Sequence, residues 1–176
     1  MRLNLILTVN ALHEPDLSAG IPWVAYVHVN SLVNFIVKKS PMLLGRTSYE
    51  RSSRAVDLDG EKVVLSTEPR FGLGNPKVHP VASMPAAIKQ LSLLCAAKDN
   101  GKQPKDAYVV GGLATMTQAM PYCDRFFVIK TKGLSASKTG SPLVSEIYKH
   151  EKISEFESTE GARVLALKRT VASLDS

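Results

Sequence analysis

Tyr108-Val109-Val110-Gly111-Gly112-Leu113-Ala114-Thr115-Met116-Thr117 carries an apolar run into two glycines and then directly into helical spacing through Leu113, Met116, Ala119 and Met120. The stretch predicts a strand that turns sharply into a helix. Paired glycines suit a backbone that takes unusual dihedrals or lies close against a ligand. The helix that follows offers free N–H groups and the positive end of its dipole, together a seat for phosphate. An ordinary tight strand-to-helix turn is the alternative reading, so the other junctions of the chain have to be weighed with it.

A second junction of the same kind lies upstream. Pro41-Met42-Leu43-Leu44 reads as a buried strand and passes into Gly45-Arg46-Thr47-Ser48, where an arginine and two hydroxyls stand beside the first turn of a helix. Guanidinium and hydroxyl donors add to backbone N–H groups in binding phosphate. A Ser/Thr helix cap with an exposed arginine is the bland alternative. A third strand, 62–67, ends in the hydroxyls of Ser66 and Thr67.

Around these junctions the chain alternates. Residues 3–9 form an apolar, partly β-branched run that reads as a buried strand, and 10–20 form a loop of a length that is uncommon without a role. Helical spacing of Val29, Leu32, Val33, Phe35 and Ile36 predicts a helix over 26–39. Residues 71–76 are glycine-rich, 77–81 suit a short strand, and 84–98 read as an amphipathic helix through Ile88, Leu91, Leu94 and Cys95. Residues 125–132 read as a strand. Apolar alternation at Phe156 and at Val164, Leu165 and Leu167 suggests a closing antiparallel pair. Strands alternating with helices and ending in strands predict an α/β domain with a mixed, mostly parallel sheet, and ligands of such sheets sit at the carboxyl ends of the strands. No repeat or linker divides the 176 residues, so a single domain over 1–176 is expected.

Composition narrows the function. The chain is 44% hydrophobic and 22% charged, as in soluble globular proteins, and no apolar run approaches the roughly 20 residues of a membrane span. The two cysteines, Cys95 and Cys123, lack metal-ligand spacing and fall in apolar surroundings, which fits free thiols in a reducing, cytoplasmic setting. His79 and His150 show no ligand spacing, so no metal site is expected. The net charge of +6 comes from scattered basic residues, with only five Phe and five Tyr among them. It suits attraction for an anionic cofactor better than a nucleic-acid partner.

The order of motifs resembles the dihydrofolate reductase family over nearly the whole chain. The matching segments are Ile21-Pro22-Trp23, the helix with Leu32 and Phe35, Pro41 through Glu50, Val63-Val64-Leu65-Ser66-Thr67, Val109-Val110-Gly111-Gly112 and Met120-Pro121-Tyr122-Cys123-Asp124-Arg125. The resemblance implies about eight strands flanked by about four helices, with NADPH as cofactor and a small heterocyclic substrate. It implies hydride transfer to a C=N bond of dihydrofolate or a related pterin, placing the chain in one-carbon metabolism. On the cofactor side it implies roles for Ala19, Gly20, Gly45, Arg46, Thr47, Ser48, Ser66, Thr67, Val110, Gly111, Gly112, Leu113, Ala114 and Thr115. Ser66 and Thr67 would meet the adenosine 2′-phosphate, and Gly111–Gly112 would be joined by a cis peptide. Residues 10–20 match the loop that covers the nicotinamide. Ala114 stands where the family commonly has a basic residue, which leaves more of the phosphate recognition to Arg46.

The substrate side departs further. The resemblance implies that Leu7, Thr8, Ile21, Leu32, Phe35 and Ile129 line the substrate chamber. Aligning Leu32 and Phe35 puts Ser31 where the family has its carboxylate, whereas counting from Trp23 puts His28 there. No Asp or Glu occurs from Gly20 to Tyr49. Serine cannot supply the charge that pairs with a protonated pterin, while histidine titrates near neutrality and could move a proton. Ser31 as a small lining residue and His28 as a partly exposed helix residue are the structural alternatives. Ile129 replaces the threonine that hydrogen-bonds that acid. Two other functions therefore stand beside the first: reduction of another heterocycle, such as a ribosylaminopyrimidine of riboflavin synthesis, and a non-enzymatic nucleotide-binding or structural role.

Overall fold

The computed structural model describes residues 1–9, 27–51, 59–68, 71–72, 74–97, 106–130, 142–157 and 162–170. In chain order the elements are β1 (Arg2–Val9), α1 (Val27–Val37), β2 (Met42–Gly45), α2 (Arg46–Arg51), β3 (Lys62–Leu65), β4 (Val78–Val81), α3 (Met84–Ala97), β5 (Asp106–Gly111), α4 (Leu113–Ala119), a 3-10 turn (Met120–Tyr122), β6 (Arg125–Lys130), α5 (Pro142–Ile147), β7 (Glu151–Glu157) and β8 (Arg163–Lys168). The eight strands form one sheet in the order β4-β3-β2-β5-β1-β6-β8-β7. All pairings from β4 across to β6 are parallel, and β8 joins β6 and β7 antiparallel. The sheet is therefore mixed and mostly parallel, as the alternating sequence predicts.

Burial explains which run takes which place. In β1 every residue after Arg2 is buried, the pattern of a strand covered on both faces, and it sits between β5 and β6. Leu3, Leu5, Leu7 and Val9 point into one cluster with Leu91 and Cys95 of α3, Met116 and Ala119 of α4, and Leu143 and Ile147 of α5. Ile6 points the other way, into a second cluster with Val33 and Val37 of α1, Leu44, Val110, Ile129 and Val164. Side chains alternate across a strand, so Thr8 lies on the α1 face with Ile6. At the far edge β7 is exposed along its whole length and reads Glu-Lys-Ile-Ser-Glu-Phe-Glu, with a register shift between Lys152 and Ser154. Charge and irregularity of this kind discourage edge-to-edge pairing.

Several expectations change in detail. The described residues contain five helices where about four were anticipated. The addition is α5, whose leading Pro142 is pre-set for the first helical turn. The third strand stops at Leu65, leaving Ser66 and Thr67 just beyond it. The implied cis peptide between Gly111 and Gly112 is not found, and no cis peptide occurs among the described residues. The turn is made instead by Gly112 in the left-handed region, at φ 75°.

Candidate active site

Because β3, β2, β5, β1 and β6 run parallel as neighbours, their carboxyl ends come out side by side, and the two glycine junctions meet there. A Cβ added at Gly45 would stand 2.6 Å from Thr115 Oγ1, and one at Gly112 would stand 2.8 Å from Ser48 Oγ. Each junction thus presses a glycine against a hydroxyl of the other. Ser48 and Thr115 are both buried, so they fix the distance between α2 and α4.

Beside this contact a cleft of about 390 Å³ opens, lined by Gly45, Arg46, Leu65, Ser66, Thr67, Ala82, Thr115 and Gln118. Three predicted hydroxyls and the predicted arginine therefore share one opening. Ser66 Oγ accepts a hydrogen bond from the Glu68 backbone N–H at 3.0 Å, which anchors the hydroxyl where β3 ends. Arg46 Nε lies 3.5 Å from Glu50 Oε1, both side chains about half exposed. An exposed pair of this kind is weak, and a doubly charged phosphate would compete for the guanidinium. Helices α2 and α4 have only six and seven residues, so side-chain donors matter more here than the dipole weight assumed from the sequence. Gln118 and Ala82 were missed. Gln118 follows Thr115 by three residues on α4 and so shares its face, a signal the sequence contains. Ala82 follows β4, and only the sheet order brings it to the cleft.

The remaining cofactor-side residues distribute plainly. Thr47 and Ala114 are exposed, Val110 and Gly111 are buried, and Leu113 packs partly against the core. Ala19 and Gly20, with the 10–20 loop and Ile21, lie outside the described residues.

On the α1 face, Thr8 pairs across the sheet with Ile129 of β6, and both are fully buried. The Thr8 hydroxyl has no hydrogen-bond partner among the described residues. Leu32 and Ile36 of α1 and Phe127 of β6 border the same cluster as partly buried side chains. Two expected chamber residues stand elsewhere: Leu7 directs its side chain to the opposite cluster, and Phe35 is 68% exposed. Ser31 shares the exposed stripe of Phe35, four residues on. The His28 side chain lies outside the described residues.

Other chemistry is not assembled among the described residues. No cluster of three or more His, Cys, Asp or Glu suited to a metal occurs among the described residues, and no helix among them is long and apolar enough to cross a membrane. Burial, with nearby Asp124 adding to it, pushes the Cys123 thiol up to about 12, so it is no nucleophile at neutral pH.

No protein-family model matches the chain, and no curated protein matches it in sequence. Its structure is similar to that of Schistosoma mansoni dihydrofolate reductase, with a TM-score of 0.67 and 17% sequence identity over 96% of this chain and 98% of that one. The chain has the dihydrofolate reductase fold. The fold runs through both ends of the sheet, including the antiparallel β7–β8 pair. The donor set of the cleft, one guanidinium with several hydroxyls around glycine junctions that a Cβ would fill, fits the phosphates of a dinucleotide.

Proposed function

We propose that this chain is an NADPH-dependent reductase that acts on a C=N bond of dihydrofolate or a related pterin. The observation that carries this reading is the meeting of Arg46, Ser66, Thr67 and Thr115 in one cleft at adjacent strand ends. Bound NADPH would supply the hydride. Arg46 would hold the 2′-phosphate with Ser66 and Thr67, since guanidinium–phosphate contacts are strong and directional. Ser48, Thr115 and the backbone around Gly112 would lie against the rest of the dinucleotide. Single-domain organisation, a cytoplasmic setting and the absence of a nucleic-acid partner belong to the same reading.

A second heterocycle class is favoured by one observation. The face that would receive the substrate carries buried Ile129, and no carboxylate is buried among the described residues. Reduction of a ring other than an ordinary pterin, with His28 or Ser31 on the proton path, follows from that. A nucleotide-binding role without turnover is the outcome if hydride transfer fails for every ring.

The test is a fluorescence titration of wild type and Arg46→Ala with NADPH and NADH. Loss of a charge-assisted contact worth about 1.5–3 kcal/mol weakens NADPH about 10- to 100-fold and leaves NADH nearly unchanged. Equal losses for both would remove Arg46 from the 2′-phosphate. A wild type that binds neither nucleotide would end the reductase reading.

A further inference from the structure

His150 stands where α5, β6, β7 and β8 meet. The corner lies at the amino end of β6, whose first residue, Arg125, pairs with Lys168 at the end of β8, so it is at the opposite end of the parallel strands from the cleft. The His150 ring stacks on that of Phe126, with centroids 4.7 Å apart and planes 10° from parallel, and Phe126 is fully buried. The turn that ends α5 fixes the approach, because the His150 backbone N–H donates to the Ile147 carbonyl at 3.2 Å. From that place His150 Nδ1 accepts the Thr170 backbone N–H at 3.4 Å. The Glu151 backbone N–H donates in turn to Thr170 Oγ1 at 3.2 Å. Two bonds thus cross between the chain entering β7 and the chain leaving β8.

A backbone N–H can only donate, so Nδ1 carries its lone pair and the neutral ring has its proton on Nε2. Protonation puts a second N–H at Nδ1, directly opposite the N–H of Thr170, and the bond is lost. The ring keeps its seat, since an imidazolium is attracted to an aromatic face. Thr170 is therefore the partner that leaves. Burial disfavours the charged ring, Glu146 favours it, and Arg169 and Lys149 disfavour it. Glu146 is bonded to Lys149 Nζ at 2.6 Å, which offsets much of its pull. The other charges of the corner have partners of their own: Glu151 stands opposite Lys168, and an Asp124 carboxylate oxygen accepts the Leu3 backbone N–H. Desolvation accordingly holds His150 below its ordinary 6.5.

We propose that His150 is a pH-sensitive clasp on the edge hairpin: neutral, it closes the start of β7 on the end of β8 through Thr170, and protonated at Nδ1 it lets that corner open. The folded chain favours the neutral ring. The contribution of the clasp is therefore whole above 6.5 and is lost as pH falls through the lowered folded value. Strand β7 has β8 as its strand neighbour and is exposed throughout, so opening this corner loosens the edge strand and leaves the cleft in place.

The test follows the His150 ring nitrogens and the Thr170 amide of the full chain by NMR between about pH 8 and about pH 5. At the alkaline end the ring is neutral with its proton on Nε2. On acidification His150 titrates below 6.5. Protection of the Thr170 amide, corrected for intrinsic exchange, falls about 3- to 10-fold with the same midpoint, the loss of one hydrogen bond. In His150→Gln, whose side-chain oxygen accepts without titrating, Thr170 protection is independent of pH. In His150→Phe, which keeps the stack and lacks the acceptor, it is low throughout. A neutral ring with its proton on Nδ1, a ring titration above 6.5, Thr170 protection that does not follow the ring, or a pH-dependent fall that persists in His150→Gln would each overturn the clasp.

Discussion

At Gly112 backbone and packing constrain the residue together. Its φ of 75° is open to glycine and strained for a side chain, and a Cβ would also meet Ser48 Oγ at 2.8 Å. Gly112→Ala therefore costs about 1–3 kcal/mol for the backbone conformation alone, with the steric clash added. In urea unfolding, adding Ser48→Ala to it recovers the clash and leaves the conformational cost. A double variant restored to the stability of Ser48→Ala alone would show that the dihedral is not strained. The same residue scale explains the arginine: with Ala114 exposed and uncharged, Arg46 is the one cation that lines the described cleft.

At the scale of elements, the two ends of the sheet are built to opposite specifications. Helix α3 buries Met84, Ala87, Leu91 and Cys95 along one stripe, whereas β7 leaves all seven residues exposed. Leu91 is fully buried, so Leu91→Ala removes packed methyl groups and leaves a cavity, at a cost of about 2–5 kcal/mol. Phe156 is 42% exposed opposite Val164, and Phe156→Ala costs about 1 kcal/mol or less, the size of a cross-strand pair. Denaturant midpoints of the two variants check this ranking. The reverse order would mean that β7 is covered by something else in solution.

For the whole molecule, burial sets the response to alkali. Desolvation raises Tyr108 and Tyr148 from 10.0 to about 12 and Cys123 from 9.0 to about 12. In each case the folded chain favours the neutral, protonated form more than the unfolded chain does. The stabilisation is therefore whole below the ordinary values, begins to fall near 9 with the thiol, and is lost as pH rises toward about 12. Urea midpoints measured across that window decline steadily, and Cys123→Ala flattens the first part of the decline. A profile that stays level up to about 12 would mean that these groups titrate as freely as in an unfolded chain.

Periodicity and glycine placement in the sequence determined the strands, the strand-to-helix junctions and the mostly parallel sheet, because burial on both faces and tight turns leave direct marks on residue choice. The hydroxyls and arginine of the cleft were legible for the same reason, since each follows closely on a readable strand. Helix α5 was not, as its six residues are too few to display a period. Only the tertiary structure decided that Gly45 abuts Thr115 and Gly112 abuts Ser48, that Ala82 completes the cleft, and that Leu7 faces the cluster under α3, α4 and α5. Those facts depend on strand order and on which helix covers which face. Such choices are made by packing residues far apart in the chain, and no local stretch records them.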